Sequence, residues 1–478
     1  MTLPPEVQSA LKILHDAGFA AYGVGGGVRD LLLNKKPKDW DVTTNAKPEE
    51  IQKLFPKSFY ANQFGTVTIL TTSEDPSLKE IEITTYRSEK GYSDQRHPDE
   101  IAFVSNLEED LARRDFTINA IALDEETVVD PFDGQADLAG KLVRAVGNPK
   151  ERFAEDALRL LRAVRLATEL NFEIEPKTLA AVTQYAPAIT AVSHERVRDE
   201  LIKLVKSDYP EKGMNLLKET GLLALILPEV AEGIAVGQNR HHIYTVFEHN
   251  IKSLQYAATY KYPFHVRLAA LLHDIGKPRT KRFDKKINDY TFYAHDIVGS
   301  RMAEKVLKRL KFSKKMTDTI THLVRHHMFY YDVGKVTEAG ARRLLRRVGK
   351  EHFDDLIKLR IAERKGSGVP KAEPYRLRHL QFMVEKAAQE PISVKELKIT
   401  GRHLQELGMK AGPIFGGILN ALLAEVLEDP IKNTKEYLLK RAVELKDKNP
   451  DELKKLGEVA AQEEELKREE DIKKKYRV

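Results

Sequence analysis

Three consecutive glycines at positions 25–27 constrain this chain more than any other feature. Apolar residues alternate before them at 20, 22 and 24, which predicts a strand, and Val28, Leu31 and Leu32 after them predict a helix. Without Cβ atoms the backbone can turn sharply, so its N–H groups can approach a polyphosphate. The positive end of the helix dipole would face the same anion. The sequence therefore predicts an anion-binding turn between a strand and a helix.

A pair of acidic residues follows that helix. Asp39 and Asp41 lie two residues apart in a segment with the pattern of a strand. Strand alternation would place both carboxylates on one face, where they repel unless a divalent cation lies between them. Glu82 alternates with Ile81 and Ile83 on a later strand pattern, so it fits as a third acid, with Asp115 as the competing choice. Carboxylates on adjacent strands are what two-metal phosphoryl transfer requires.

Five segments in order resemble the motifs of the tRNA nucleotidyltransferase and bacterial poly(A) polymerase family. They are residues 25–41, 113–120, 130–134, 155–159 and 193–198. The resemblance implies a nucleotidyltransferase in which Asp39 and Asp41 hold Mg²⁺. The segment 82–87 matches the family pattern Glu-x-Thr-Thr-x-Arg, which favours Glu82 as the third catalytic acid.

The same resemblance implies how the nucleotide is held. Gly26, Arg29 and Arg114 would contact the triphosphate, and Asp115 and Asn119 would organise the ribose pocket. The segment 130–134 would be a tight structural hinge. Glu195 and Arg196 would brace the helix that reads the nucleotide rather than contact substrate.

Asp156 and Arg159 are predicted to project from one turn of a helix that runs from 151 to 170. Asp accepts from an exocyclic amino group, and Arg donates to the neighbouring ring nitrogen. Cytosine and adenine present that pattern, whereas uracil and guanine do not. The alternative is a simple intrahelical salt bridge. The resemblance favours base reading, and it directs Arg162 and Arg165 toward triphosphate or primer.

A second group of residues has the composition of a metal site. His249, His273, Asp274, His295 and His327 offer nitrogen and oxygen ligands for a divalent metal. The pattern resembles the HD phosphohydrolase superfamily, in which Lys277 would contact phosphate and Asp332 would be the last ligand. Histidines that are only core residues, or a degenerate scaffold, are the alternatives.

Length and composition limit the architecture. The 478 residues exceed one core, so several domains are expected. Together with the resemblances above, the sequence patterns predict an α+β mixed-sheet nucleotidyltransferase head at 1–138, a helical neck at 139–232, an HD domain at 233–372 and a helical tail at 373–478, and the tail's resemblance to the family implies that it binds tRNA. Cys 0 fits a reducing cytoplasm, and no apolar run is long enough to span a membrane. The net charge of +6 is compatible with a polyanionic partner.

The expected function is template-independent addition of CCA to the tRNA 3′ end from CTP and ATP, with Mg²⁺ in the head and a second divalent metal in the HD domain. The segment 64–68 resembles the CCA-adding members, and a polar segment at 87–98 matches the loop associated with the switch from C to A addition. Poly(A) polymerase is the alternative within the family. An HD phosphohydrolase with a non-catalytic RNA-binding head is the alternative of another class.

Overall fold

The computed structural model describes residues 2–60, 65–90, 100–125, 127–239, 243–329, 337–368 and 375–457. The predicted ligand Asp332, most of the predicted loop at 87–98 and the charged residues beyond 457 lie outside the described residues. The chain forms two compact units, Met1–Pro228 and Glu229–Val478. That division falls close to the predicted boundary at 232, and the finer boundaries at 138 and 372 stay predictions.

The first unit is built on a seven-stranded mixed sheet with the order β3-β4-β5-β2-β1-β8-β9. Strands β2 and β5 are parallel, and the other neighbouring strands are antiparallel. A separate antiparallel pair, β6 and β7, follows β5. The strands are β1 (Ala21–Val24), β2 (Asp41–Thr44), β3 (Ser58–Tyr60), β4 (Thr66–Leu70), β5 (Glu80–Thr85), β6 (Arg87–Lys90), β7 (Glu100–Phe103), β8 (Ala122–Leu123) and β9 (Val128–Val129).

Helices cover this sheet and continue the unit beyond it. They are α1 (Pro5–Asp16), α2 (Gly25–Leu32), α3 (Pro48–Leu54), α4 (Leu107–Ala112), α5 (Gly134–Gly140), α6 (Pro149–Glu155), α7 (Leu158–Leu170), α8 (Pro176–Tyr185), α9 (His194–Lys206), α10 (Pro210–Glu219) and α11 (Leu222–Ile226). Within the region 139–232, which is predicted to be helical, a short parallel pair, β10 (Leu142–Val143) and β11 (Glu173–Ile174), follows α5. The mixed α+β class is confirmed.

The predicted continuous helix from 151 to 170 is wrong, because the structure breaks it at Asp156. That residue has extended backbone angles of φ −138° and ψ 106°, and it separates α6 from α7. Its carboxylate Oδ1 accepts from the backbone N–H of Leu158 at 3.0 Å, close to the N-terminus of α7. An aspartate at this position satisfies a donor that a helix start leaves without a partner, which explains why the break is stable.

The second unit is almost entirely helical. Its helices are α12 (Pro228–Ala231), α13 (Val246–Thr259), α14 (Phe264–Leu272), α15 (Lys277–Thr280), α16 (His295–Arg309), α17 (Lys314–His326), α18 (Glu338–Val348), α19 (Lys350–Gly366), α20 (Tyr375–Ala387), α21 (Gly401–Glu406), α22 (Pro413–Glu428), α23 (Lys435–Leu445) and α24 (Pro450–Gly457). One antiparallel pair, β12 (Arg282–Asp284) and β13 (Asp289–Thr291), interrupts them. A single apolar core contains residues from α18 through α24, so it spans the predicted boundary at 372.

No helix among the residues described above is long and apolar enough to cross a membrane.

Candidate active site and metal centre

The three glycines lie at the junction of β1 and α2, as predicted, and two of them leave no room for a side chain. Gly25 has a positive φ of 76°, and a Cβ there would stand 2.8 Å from Asp41 Oδ2 and 3.3 Å from Arg114 Nη1. A Cβ on Gly27 would stand 2.9 Å from the ring of Trp40. The glycine backbone therefore packs directly against the acidic segment, which brings Asp41 and Arg114 to the start of α2.

Three predicted carboxylates come from adjacent strands or from residues next to them. Asp41 pairs with Glu82 in the parallel register of β2 and β5. Asp39 lies before β2 rather than within it, and its Oδ1 is 3.9 Å from the Cβ position of Gly26. Trp40, between the two aspartates, is fully buried. The buried indole therefore fixes the segment that carries both acids.

The electrostatics of this group fit a site for a divalent cation. Burial raises the pKa of the Asp41 carboxyl to about 6; Arg114 opposes the rise, and Asp39 and Glu82 add to it. Burial and the charge of Asp39 also raise the pKa of Glu82. Carboxylates that raise one another's pKa are stabilised when a cation binds between them. The donor set is all oxygen, which suits Mg²⁺.

A chain of hydrogen bonds connects the glycine turn to the helical part of the unit. Arg29 Nη1 donates to Asn119 Oδ1 at 2.8 Å, Asn119 Nδ2 donates to Asp115 Oδ1 at 3.0 Å, and Arg162 Nε donates to Asp115 Oδ2 at 2.7 Å. Although burial alone would raise it, Arg162 and Asn119 hold the pKa of the Asp115 carboxyl well below its usual range. Glu82, and not Asp115, is the acid in register with Asp41.

Arg114 differs from the arginines around it because its donors are not all satisfied. Its Nε is buried and has no hydrogen-bond partner among the described residues. Its Nη2 lies 3.7 Å from Asp110 Oδ2, which is a charge contact longer than a hydrogen bond. A partly exposed arginine with one buried, unused donor beside Asp41 fits a site that receives an anion.

The predicted base-reading residues lie near each other but have separate partners. Asp156 Oδ2 accepts from Arg196 Nη2 at 2.7 Å, which agrees with the expected bracing role of Arg196. Arg159 Nη1 pairs with Glu155 at 2.5 Å, and its Nη2 donates to the backbone carbonyl of Arg113 at 3.0 Å. The structure therefore replaces the alternative of an Asp156–Arg159 salt bridge with two different ion pairs.

Arg165 lies elsewhere than the sequence predicted. Its side chain is buried, and it pairs with Glu200 and with Glu169, each at 2.5 Å. Two carboxylates therefore neutralise this arginine inside the unit, and the expectation that its charge faces triphosphate or primer is wrong. Helical spacing predicts that Arg165 lies on the same helix as Arg162. It does not predict the partner Glu200, because that residue belongs to α9.

In the second unit, the predicted histidines gather around one aspartate. His249 and His273 point their Nε2 atoms at Asp274 Oδ2, at 3.5 and 3.3 Å. His295 and His327 point theirs at the other oxygen, Oδ1, at 3.3 and 3.6 Å. Each half brings three ligand atoms within 4.8 Å of one another, so Asp274 belongs to two groups that could each hold a metal ion.

The histidine tautomers fit metal binding as well. The Nδ1 atoms of His273, His295 and His327 lie 2.7 to 2.8 Å from backbone carbonyls of their own helical turns. A carbonyl can only accept, so each Nδ1 carries the proton and each Nε2 presents its lone pair to the centre. Lys277 Nζ lies 2.5 Å from Asp274 Oδ2, so this carboxylate is also held by a lysine.

Sequence reasoning missed a further carboxylate near this centre, Glu363 on α19. It lines a cleft of about 560 Å³ together with Lys277 and His295. Burial alone would raise its pKa, but Arg360 and the nearby His327 and His273 lower it to about 2. In the sequence Glu363 stands three residues after Arg360, which is typical of an exposed helical ion pair, so no local signal marked it.

The comparisons with known proteins agree with this geometry. Three family models match: the poly A polymerase head domain at residues 21–144, the probable RNA and SrmB-binding site of polymerase A at 171–234, and the putative tRNA nucleotidyltransferase domain 2 at 283–442. The CCA-adding enzyme of Lactobacillus helveticus is 33% identical over 433 residues, covering 90% of this chain and 94% of that protein. The chain belongs to the CCA-adding enzyme family.

Other members of the CCA-adding enzyme family extend the likeness. The enzyme of Ligilactobacillus salivarius is 34% identical over 450 residues, covering 93% of this chain and 98% of its own. The crystal structure of the Bacillus stearothermophilus CCA-adding enzyme in complex with CTP has a TM-score of 0.69 at 29% identity, covering 92% of this chain and 98% of that one. The Thermotoga maritima CCA-adding enzyme complexed with tRNA-CCA shares the fold, with a TM-score of 0.55 at 20% identity and coverage of 92% and 96%.

The raised pKa of Asp41 predicts a stability change that depends on pH. Its folded pKa of about 6 exceeds the ordinary value of 3.8, so its stabilising effect is complete below pH 4 and is lost as the pH rises through 6. At pH 8 without divalent metal, Asp41→Asn should therefore be more stable than the wild type, on the order of 2 kcal/mol. Urea unfolding in EDTA at pH 5 and pH 8 measures this difference.

Asp75→Asn provides a control of opposite sign. Hydrogen bonds from Lys36 and Ser77 lower the pKa of Asp75 to about 2, so its amide variant should gain no stability at pH 8. If Asp41→Asn unfolds at or below the urea concentration that unfolds the wild type at pH 8, the carboxylates of the site do not destabilise one another as described.

Proposed function

We propose that this chain is a template-independent tRNA nucleotidyltransferase that adds CCA to the tRNA 3′ end from CTP and ATP. The observation that carries the proposal is the meeting of Asp41, Glu82 and Arg114 at a glycine turn, in a chain that aligns with nearly the whole length of CCA-adding enzymes. The complexes named for its relatives, with CTP and with tRNA-CCA, support the same substrates. A tRNA substrate also agrees with the cytoplasmic location that the sequence predicts.

In the proposed reaction, the 3′-hydroxyl oxygen of tRNA forms a bond to the α-phosphorus of CTP or ATP. The bond from that phosphorus to the bridging oxygen breaks, and pyrophosphate leaves with the electron pair. Asp39 and Asp41 would hold Mg²⁺, and Glu82 would complete the acidic face. Bound Mg²⁺ supplies charge neutralisation on the triphosphate and activation of the hydroxyl. Gly26, Arg29 and Arg114 would hold the triphosphate, and Asp115, Asn119 and Arg162 would shape the ribose side of the pocket.

Base choice would rest on Asp156 and Arg159 at the beginning of α7. Arg196 fixes the carboxylate of Asp156, and Glu155 fixes the guanidinium of Arg159. The Asp156 carboxylate and the Arg159 guanidinium are therefore each held in one orientation by a second residue. This reduces the loss of side-chain conformational entropy when a nucleotide binds. The full-length relatives favour CCA addition over the poly(A) polymerase alternative.

The histidine centre supports a second candidate function, a metal-dependent phosphohydrolase. His249, His273, Asp274, His295 and His327 would hold a divalent metal, or two metals that share Asp274. Bound metal would act as a Lewis acid on a phosphate ester and would lower the pKa of an attacking water. The histidine centre therefore supports a phosphohydrolase activity in addition to nucleotidyl transfer. The alternative of a phosphohydrolase with a non-catalytic head is disfavoured, because such a head has no use for a cluster of carboxylates with raised pKa values.

The test of the main proposal is incorporation of each labelled NTP into tRNA that lacks its 3′ end. The wild type should add C and A and reject U and G. Asp39→Ala and Asp41→Ala should each lower incorporation by more than about 100-fold while tRNA binding stays intact, because the metal carboxylates act only on the chemical step. Asp75→Ala, a surface aspartate of the same unit, is the control. If Asp39→Ala or Asp41→Ala retained more than about one tenth of wild-type incorporation, that result would contradict the two-metal assignment.

A second prediction concerns which residues choose the base. Asp156→Ala and Arg159→Ala should raise the use of UTP or GTP relative to CTP by about 10-fold or more, because unpaired buried groups no longer penalise the wrong base. The measurement is kcat/KM for all four NTPs. Arg152→Ala is the matched control, since Arg152 also pairs with Glu155 and donates to a carbonyl at the end of α4. If all three variants show the same ratio of kcat/KM for UTP or GTP to that for CTP, then Asp156 and Arg159 have only a structural role.

A third prediction concerns the histidine centre. His273→Ala combined with Asp274→Ala should remove bound transition metal and any phosphodiesterase activity, yet leave CCA addition unchanged. Elemental analysis of protein purified without chelator measures the metal. The matched control is His322→Ala with His326→Ala, which removes two neighbouring histidines of α17 whose rings lie 4.5 Å apart outside the predicted ligand set. Wild-type protein without metal would reduce this centre to a scaffold.

A further inference from the structure

Asp110, on α4, is a buried acid for which no sequence motif predicts a role. Its side chain has 0% exposure, and every partner lies close to the nucleotidyl-transfer residues. Its Oδ1 accepts from Arg113 Nε at 2.9 Å and from the backbone N–H of Arg87 at 3.3 Å. Its Oδ2 accepts from Thr43 Oγ1 at 3.0 Å and lies 3.7 Å from Arg114 Nη2. One carboxylate therefore contacts four other residues.

These partners hold the elements of the acidic face. Thr43 stands two residues after Asp41 on β2, and Arg87 begins β6 directly after the strand that carries Glu82. Arg114 is the arginine whose Nη1 lies beside the glycine turn and Asp41. Asp110 thus connects the strand that carries Asp41, and the segment that follows the Glu82 strand, to the arginine that would meet the triphosphate.

The charge balance around Asp110 favours a nucleotide-directed role. Burial alone would raise its pKa, but Arg113 and Arg114 lower it, so the carboxylate is ionised. Arg113 makes the close hydrogen bonds, at 2.8 and 2.9 Å, while Arg114 stays at charge-contact distance with its Nε unused. Asp110 is therefore shared between two arginines, and Arg113 takes its close hydrogen bonds while Arg114 does not.

We propose that Asp110 is a positioning residue for the incoming nucleotide, which holds Arg114 beside Asp41 so that its free donors meet the triphosphate. The role rests on the proposed nucleotidyltransferase function. Asp110 does not touch the reacting atoms; it acts through Arg114 and through its hydrogen bonds to Thr43 on β2 and to Arg87 at the start of β6. Loss of its charge should therefore weaken nucleotide binding more than tRNA binding.

A buried ion pair with only a structural role is the competing explanation, and the same unit contains a close match for it. Asp137 is also buried, accepts from Thr117 Oγ1 at 2.7 Å and pairs with Arg144 Nε at 2.9 Å. It thus has the same partner types, a threonine hydroxyl and an arginine, without the contact to Arg114. Variants at the two positions should cost similar stability.

The experiment compares Asp110→Asn with Asp137→Asn in the full chain. Asp110→Asn should raise the KM for CTP and ATP, and the equilibrium Kd for CTP without tRNA, by about 10-fold or more, because Arg114 loses a charged partner. The KM for tRNA should change less than about 2-fold. Asp137→Asn should lower the Tm to a similar extent but leave nucleotide KM and Kd unchanged. Asp110→Glu should restore part of the nucleotide affinity.

A nucleotide KM and Kd that are unchanged in Asp110→Asn, or changed equally by Asp137→Asn, would overturn the proposal. Should either asparagine variant fail to fold, Thr43→Val and Thr117→Val make the same comparison by removing one hydrogen bond from each aspartate. The Kd for CTP separates this proposal from the proposed function. Wild-type protein that binds CTP but adds nothing to tRNA contradicts the function alone.

Discussion

The parallel pairing of β2 with β5 is the constraint on which the nucleotidyl-transfer site depends. Two acidic side chains, Asp41 and Glu82, are held in register on two neighbouring interior strands of the sheet. Burial there destabilises their charged forms, so the surroundings must compensate. The glycine turn provides compensation by leaving space for Arg114, whose charge opposes the rise in the pKa of Asp41. Cation binding would remove the remaining repulsion.

The same region connects the residues proposed to bind phosphate with those proposed to read the base. Arg159 donates to the backbone carbonyl of Arg113, Arg152 donates to that of Ala112, and Arg162 pairs with Asp115. Three arginines from α6 and α7 therefore hold the end of α4 and the residues after it, directly beside Arg114. A nucleotide whose base fits Asp156 and Arg159 would be presented with its triphosphate at a fixed place. Discrimination in such a site requires that the groups be oriented before substrate arrives.

The histidine centre is organised around one buried carboxylate and not around a pair of strands. Its four imidazoles and one carboxylate are buried, and each oxygen of Asp274 faces two Nε2 atoms. Tight backbone packing enforces the arrangement, because a Cβ on Gly276 would stand 2.2 Å from the carbonyl oxygen of His295. The Nε2 lone pairs of His273, His295 and His327 converge on one carboxylate, which is unfavourable unless a cation is bound, and the cluster therefore fits a metal better than a structural core.

The sequence alone determined the elements whose causes are local. The glycine run and strand alternation predicted β1, α2 and β5, and the motifs predicted the carboxylates that meet beside the glycine turn and the five residues of the histidine centre. Tertiary structure decided what depends on distant neighbours. The helix predicted through Asp156 is broken because that carboxylate caps α7 and pairs with Arg196, and Arg165 is neutralised by Glu200 from α9. Thr43, which donates to Asp110, and the histidines near Glu363 are likewise distant from these acids in the sequence. Local periodicity specifies which face a side chain takes, but the partner of a buried charge is set by whichever element packs against that face.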